Sequence, residues 1–566
     1  LPLGYASFER VRLGNCVFAD KTRLLYDLIQ TDTPYFLSRP RRFGKTLLVS
    51  VLMAVFQGRK DLFQGLWIYD QEYDWTPRPV IRLSLASTGA KNPESLKNFL
   101  WSELNFIAKI NEIKLEEREL SSNFLSLIRQ LNIKYNERVV ILIDDYDAPI
   151  QDYMKNPNLA DEMRETLKDF YGSLKSCEEE RGFVFITGVS RFAKTSLFSG
   201  LNNLTDITLN EKYAHLLGFT IDEFSELFKE RMEETLNYFI SQNRFTDLNS
   251  VADLKKRILE WYDGYSWDGK SSVLNPWAVL TFFDRREFDA FWLETGPPSF
   301  LETMIKSGQI NIANIFNDNF FAESMNIIDI GNKRNLKALL FQTGYLTVGR
   351  IARHGQRIQY FLNFPNLEVR ASVAQLSLSL EKHIQNPLLL TEQGKAILET
   401  LINRDRAGFK SAFKSFLGNF SYRTFTYDEN FFSMMFTLAV TFSGQLREPQ
   451  KEVEGGVMDL HLKSRHGDDF VIEIKYVHLP SRKDDNYAAK TKKLMKAARD
   501  KAFQQIERRR YYFCFQGKGN KIFKTALIFG GRSKVLIDFQ EAQNRRLEWD
   551  EFHQTYSVQF SGGNAE

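Results

Sequence analysis

The chain has 566 residues, 43% of them hydrophobic and 26% charged, with a formal net charge of only +4; that suits roughly three or four globular units and excludes a nucleic-acid surface spread over the whole molecule. Its three cysteines, Cys16, Cys177 and Cys514, lie far apart without a C-x-x-C pair, which excludes a disulfide framework or zinc knuckle and suits a reducing compartment. No apolar run reaches membrane-spanning length and the opening LPLGYASFERVRLG lacks a signal peptide's apolar core, so a soluble cytoplasmic protein with no membrane partner is expected.

Residues 22–30 read as a helix, YFLS (35–38) as a short strand and TLLVSVLMAVF (46–56) as the helix after it. Further strands are expected at VIRLSL (80–85), VVILID (139–144) and FVFITGV (183–189), with helices near 94–110 and 159–176 between them. Short apolar runs separated by helices are what a parallel sheet covered on both faces produces. Most of the 48 Phe fall within periodic segments and read as core.

Between this first strand and helix lies SRPRRFGKT (38–46). Nucleotide-binding loops follow G-x-x-x-x-G-K-[ST]: backbone amides cradle phosphate, the lysine neutralises it and the hydroxyl meets Mg²⁺. Gly44, Lys45 and Thr46 fit, while Arg39 stands where the first glycine belongs. The loop should open a helix, whose free amides and dipole favour anions, and Arg39, Arg41, Arg42 and Lys45 add charge suited to a polyphosphate. In VVILIDDYDAPI (139–150), Asp144 ends a buried strand, where it can hold Mg²⁺. Asp145 beside it can orient an attacking water, a place more often taken by Glu. The bland alternative is an acidic pair that merely caps the next helix. In FITGVSRFAKTSLFSGLNNLTDITL (185–209), Ser190 or Arg191 can come near a γ-phosphate.

The runs VFADKTRLLYDLI, YFLSRPRRFGKTLLVSVLMAVFQG, LIDDYDAPI and TGVSRFAKTSLFSGLNNLTDI together resemble the bacterial AAA-ATPase-like family often fused to a PD-(D/E)XK nuclease domain. In that family RPRRFGK[ST] is the usual loop, so the resemblance makes Arg39 the family's form, with Pro40 stiffening the turn. The chain departs from the family at Asp145, where DEYD is commoner.

From about 218 to 310 the sequence turns helical and aromatic, with a turn at WYDGYSWDGK (261–270). LLFQTGYLTV (339–348) and IQYFLNFPNLEVR (358–370) read as strands, and a boundary is expected near 375–385. A helical stretch then leads to EGGVMDLHLKSRHGDDFVIEIKYV (454–477), two alternating runs about the turn-rich RHGDD. Met458, Leu460 and Leu462 share one face and leave Asp459 on the other; Ile472, Ile474 and Tyr476 leave Glu473 and Lys475 together. A hairpin symmetric about His466 sets Asp459 across from Glu473, with Cβ atoms about 5 Å apart, close enough for both carboxylates to share a divalent cation. That is the chemistry of a metal-dependent phosphodiesterase, with Lys475 orienting the water or screening developing charge. Against it stands an edge hairpin with a solvated charged face. KTKKLMKAARDKAFQQIERRR (490–510) reads as a basic helix whose Lys492, Lys493, Lys496 and Arg499 attract nucleic-acid backbone, and YYFCF (511–515) and TALIFG (525–530) read as strands.

The spacing D-x₁₃-E-x-K also resembles the PD-(D/E)XK signature. The resemblance implies that Gln505 supports the metal site, that Tyr511 is the motif's aromatic and that Glu429 is an acid on the first helix of that core. Gly456 departs from it, where relatives often carry Arg.

The expected fold class is α/β: a P-loop NTPase-like parallel-sheet domain (1–215), a mainly helical middle region with short strands (216–380) and a restriction-endonuclease-like α/β domain (381–566). The expected protein binds ATP, and hydrolyses it, at Arg42, Gly44, Lys45, Thr46, Asp144, Asp145, Ser190 and Arg191. It cleaves nucleic acid, DNA before RNA, through Asp459, Glu473, Lys475 and Gln505. Mg²⁺, or Mn²⁺ at the nuclease site, sits on Asp459 and Glu473, and Mg²⁺ on Thr46 and Asp144. A homo-oligomer is a further expected partner. The alternatives are a nucleotide-dependent switch whose nuclease-like domain binds without cleaving, and an ATPase acting on a protein.

Overall fold

Every residue of the runs PYFLS, VVILID and RGFVFITG is buried, as strands covered on both faces require. The computed structural model describes residues 1–86, 88–116, 119–151, 153, 156–190, 203–245, 248–294, 320–322, 325, 336–354, 357–379, 387–418, 428–442, 452–453, 456–457, 460–464, 467–481, 484–512, 521–531, 534–542, 546–550 and 555–559. Described residues through Arg370 form one unit and those from Ala371 onward a second.

In the first unit β1 (Pro34–Ser38), β2 (Val80–Ser84), β3 (Val139–Asp144), β4 (Arg181–Gly188) and β5 (Thr205–Asp206) form one sheet in the order β2-β3-β4-β1-β5. All its pairings are parallel, so the strands' carboxyl ends share one edge, where ligands of such sheets bind. The helix Lys45–Phe56 follows β1 and is apolar around most of its circumference, because strands lie against it on one side and the aminoterminal segment on the other. Pro93–Ile110 starts at an Asn92 capping box with proline in its first turn, and Pro157–Gly172 also has proline in its first turn, with the Asn156 side chain accepting the Leu159 amide. The latter stops before the expected 176, where residues 173–177 tighten into a 3₁₀ turn.

The aromatic stretch after residue 216 makes a second core within the same unit. Helices Ile221–Leu227, Lys229–Ser241, Val251–Tyr262 and Pro276–Arg285 bury Phe224, Phe228, Phe239, Phe282 and Phe283, with Phe228 and Phe283 stacked 4.9 Å apart. Beside it lies an antiparallel sheet of β6 (Phe320–Ala322), β7 (Thr347–His354) and β8 (Arg357–Asn363) in the order β6-β8-β7. Two expected strands are corrected here. LLFQTGYLTV is the end of a helix, Leu336–Gln342, then a turn at Gly344 with φ +90° before β7 begins. An unbroken apolar run suits a buried helix as well as a strand, and here the helix-forming LKALLFQ decides. IQYFLNFPNLEVR leaves the strand at Asn363, because Pro365 cannot extend it; the Asn366 side chain then accepts the Val369 amide at 3.0 Å and starts Leu367–Ser379.

In the second unit β9 (Leu460–Lys463), β10 (Asp469–Val477), β11 (Ile522–Gly530) and β12 (Lys534–Glu541) form a mixed sheet in that order, parallel only between β10 and β11. One face packs on Glu429–Phe442 through Phe432, which stacks on Phe529 at 4.1 Å and on Tyr476 at 5.7 Å. On the other face Val471, Ala526 and Ile528 pack with Met495, Phe503 and Ile506 of the basic helix Tyr487–Arg509. Tyr511 and Tyr512, read as the start of a strand, are a buried turn after that helix, and residues 513–515 lie outside the described set. Among the described residues no helix is long and apolar enough to cross a membrane.

Two glycines in the left-handed region separate backbone strain from crowding. A Cβ at Gly264 (φ +99°) would stand 2.0 Å from the Pro365 carbonyl oxygen, whereas one at Gly65 (φ +78°) meets nothing within 4 Å. Gly65→Ala should cost about 1 kcal/mol and Gly264→Ala about 3 kcal/mol or more. Equal shifts in thermal unfolding for the two variants would show that the contact between 264 and 365 is not formed.

Candidate functional site

The phosphate-type loop is rooted by Arg39. Its side chain is 0% exposed, and its guanidinium donates to the carbonyls of Ser38 (2.9 Å), Thr208 (2.9 Å) and Tyr213 (3.1 Å) while lying 4.0 Å over the Trp267 ring. Burial pulls its pKa down to about 9, against the opposing charges of Asp206 and Asp268, so it stays charged at neutral pH. The expectation that Arg39 adds charge for a polyphosphate is therefore corrected: it is spent on protein carbonyls and supports the loop from below. Phe43 wedges edge-on against Tyr265 (4.8 Å) and Trp267 (5.5 Å), so the turn in WYDGYSWDGK buttresses the loop from the far side.

The backbone turns through the left-handed region at Arg42 (φ +69°) and Gly44 (φ +92°), and Lys45 begins the helix. Lys45 is 6% exposed; its Nζ donates to the Pro40 carbonyl at 3.3 Å and lies 3.6 Å from Asp145 Oδ1. Arg42 places its guanidinium 4.5 Å over Trp277. Arg42, Gly44 and Lys45 line a cavity of about 570 Å³ together with Asp145, Asp147, Gln151, Phe219, Trp277 and Leu280. That volume suits a nucleotide-sized ligand.

Asp144 ends β3 fully buried, and among the described residues neither of its carboxylate oxygens has a hydrogen-bond partner of full geometry. Burial first, then the charge of Asp145, pushes its pKa up; the Thr46 hydroxyl, which faces it without a full hydrogen bond, and the Lys45 and Arg82 charges pull the other way. A buried carboxylate left without a donor is costly unless a cation meets it, so the donor set beside Thr46 fits Mg²⁺. Asp145 takes the left-handed conformation (φ +48°), with its carboxylate toward Lys45.

Sequence reasoning gave Asp147 no role. It is buried and accepts the amides of Val189 (3.2 Å) and Ser190 (2.5 Å) and the Gln151 side-chain amide. It thereby ties the loop after β3 to the end of β4. Burial raises its pKa, while the Ser190 and Val189 amides counter it. The signal lies in Gly188, where a Cβ would meet Asp147 Oδ1 at 2.4 Å. Ser190 is buried too: its hydroxyl accepts from Gln151 at 2.9 Å, and its backbone amide is one of the two held by Asp147. Arg191 lies outside the described residues.

In the second unit the hairpin pairs Leu460 with Ile472, His461 with Val471, Leu462 with Phe470 and Lys463 with Asp469, a register centred on residue 466. His461 Nε2 and Asp469 Oδ1, both buried, are 2.8 Å apart and pin it beside the turn. Asp459 lies outside the described residues. Glu473, 0% exposed, meets the Lys475 ammonium at 2.7 Å, and Lys475 also donates to Glu429 at 3.1 Å. The second Glu429 oxygen accepts the Tyr476 amide at 3.4 Å. Two carboxylates thus flank one ammonium where β10 ends. Gln505 is half-buried on the basic helix and, among the described residues, hydrogen-bonds to neither Glu473 nor Lys475. On the same helix Lys492, Lys493 and Lys496 are exposed, whereas Arg499 pairs with Asp500 (2.6 Å) and Asp538 (3.4 Å).

A family profile described as "Predicted AAA-ATPase" matches residues 2–198, and one described as "PD-(D/E)XK nuclease superfamily" matches residues 427–539. The chain is 34% identical over 424 residues, 74% of its own length and 77% of the other's, to an "Uncharacterized protein in vnfD 5'region" of Azotobacter chroococcum mcd 1.

Two substitutions probe this site. Arg39→Gly, which installs the ordinary loop glycine, should destabilise by about 3 kcal/mol or more, because buried carbonyls lose their donor; an unchanged melting temperature would show that the guanidinium is dispensable. Asp144→Asn should raise the melting temperature of the nucleotide-free protein by about 2–4 °C and abolish Mg²⁺-dependent nucleotide binding. Asp144's folded pKa is raised, so its penalty is fully present above that raised value and fades as pH falls from it toward the ordinary carboxylate range. The gain from Asn should shrink in acid, and a gain independent of pH would contradict the assignment.

Proposed function

This chain belongs to the family that joins a predicted AAA-ATPase domain to a PD-(D/E)XK nuclease superfamily domain, and from that premise we propose that it binds ATP and cleaves phosphodiester bonds of nucleic acid with a divalent cation. The amides opening the helix at Gly44, together with Lys45 and Thr46, would hold the phosphates, and Asp144 and Thr46 the accompanying Mg²⁺. Asp145 would orient the hydrolytic water. In the hairpin, Asp459 and Glu473 would hold Mg²⁺ or Mn²⁺, with Gln505 in support.

The observation that carries the cleavage reading is the trio of Glu473, Lys475 and Glu429. Among the described residues two carboxylates share one ammonium, and an excess of carboxylate oxygens is what a divalent cation site requires. A divalent cation, when bound, supplies Lewis-acid stabilisation of the charge that builds on the scissile phosphate. Lys475, ion-paired but not fully buried, can add a hydrogen bond to that charge in a largely desolvated site. The exposed Lys492, Lys493 and Lys496 lie on the helix that packs on the same face of the sheet as Val471. They support backbone binding that is blind to sequence and weakened by salt, with DNA the first substrate to try.

A second reading has its own observation. Asp145 faces Lys45 at 3.6 Å, an arrangement that supports nucleotide binding with slow turnover, as in a nucleotide-dependent switch. Plasmid nicking in Mg²⁺ or Mn²⁺ separates the two. Cleavage by the wild-type chain that falls about a hundredfold or more in Asp459→Ala and in Glu473→Gln supports the nuclease. No cleavage under any metal or nucleotide condition leaves the switch.

A further inference from the structure

The loop carries four cations within seven residues, and the structure sends them to four different places. Arg39 is buried on protein carbonyls, and Lys45 is held between Pro40 and Asp145. The backbone turns through the left-handed region at Arg42, and the Arg42 guanidinium lies 4.5 Å over Trp277, another residue lining the cavity. Arg41 is exposed, and among the described residues its guanidinium has one hydrogen bond, from Nη2 to Gln151 Oε1 at 3.3 Å.

Gln151 fixes where that guanidinium stands. It ends the short helix Ala148–Gln151, directly after the acidic run. Its amide nitrogen is committed to Asp147 and, at 2.9 Å, to the Ser190 hydroxyl, so only its oxygen faces Arg41. Arg41 is thus held by a residue that lines the same cavity as Lys45 and Asp145, the groups between which the last phosphate of a bound triphosphate would stand on the phosphate-loop reading.

Resting on that reading, we propose that Arg41, and not Arg42, discriminates nucleoside triphosphate from diphosphate, with Gln151 as its positioning residue. A long hydrogen bond to a neutral amide holds a guanidinium weakly, and phosphate oxygens accept in a charge-assisted, bidentate manner that is about twice as strong. The exposed side chain moves from one acceptor to the other without backbone change. Gln151 keeps its two other bonds and stays in place. A diphosphate has no group at that end, so Arg41 remains with Gln151.

The test is calorimetric titration of the full chain with a non-hydrolysable ATP analogue and with ADP, both in Mg²⁺. Arg41→Ala should weaken the triphosphate roughly tenfold or more and leave ADP within about twofold. Arg41→Lys should recover only part of the loss, because the bidentate fork is missing. Gln151→Ala should show a smaller loss, again confined to the triphosphate, and Arg42→Ala should weaken both ligands alike. Equal losses in Arg41→Ala, no loss, or triphosphate selectivity lost in Arg42→Ala instead overturns the assignment. Wild-type protein that binds neither nucleotide, or binding that survives Lys45→Ala, removes the phosphate-loop reading itself and this inference with it.

Discussion

A guanidinium with no exposed surface holds the root of the phosphate-type loop. Removing Arg39 from water is expensive, and its lowered pKa records that cost. The offset is local: carbonyls of Ser38, Thr208 and Tyr213, the Trp267 ring beneath and the charges of Asp206 and Asp268. A glycine in that position lets a loop adopt its shape from within; an arginine has the shape imposed by neighbours. Pro40 and Phe43 complete the scaffold, one packing on Gly344 and the other on Tyr265. The loop is pre-formed because its surroundings are.

That scaffold governs the electrostatics of the cavity. With Arg39 turned into the protein and Lys45 partly neutralised by Asp145, the positive potential facing a ligand comes from fewer groups than the run RPRRFGK suggests. The buried Asp144 feels the Thr46 hydroxyl and the Lys45 charge but, among the described residues, has no hydrogen bond of full geometry. Asp147, equally buried, differs from it in one respect: backbone amides meet it. Two buried carboxylates three residues apart therefore have opposite characters: backbone amides meet Asp147, and among the described residues none meets Asp144. The distinction rests on hydrogen-bond partners, which residue type alone does not reveal.

The parallel sheet was legible because its strands are continuous apolar runs between helices, and VVILID matches β3 residue for residue. The hairpin register was legible because the turn-rich centre sets the symmetry and alternation sets the face. LLFQTGYLTV was not, since apolar continuity carries no period. Arg39's role was hidden for a different reason: charge next to a phosphate motif reads as a ligand contact, and only burial shows otherwise. The network of Asp147 and Gln151 joins residues from two strand ends, and no local spacing encodes such a meeting.

The reach of this tertiary support also bears on where the functional unit ends. The matched AAA-ATPase segment stops at residue 198, yet Thr208, Tyr213, Tyr265, Trp267 and Trp277 all touch the loop from beyond it. The motif is contained in the shorter segment, but the contacts that shape it are not. A chain cut at 198 would keep every motif residue while leaving the Arg39 guanidinium without two of its three carbonyl acceptors and Phe43 without its aromatic wall. The aromatic region after 216 therefore supplies part of the wall that shapes this cavity: Tyr265 and Trp267 meet Phe43, and Trp277 packs against the phenylalanine core.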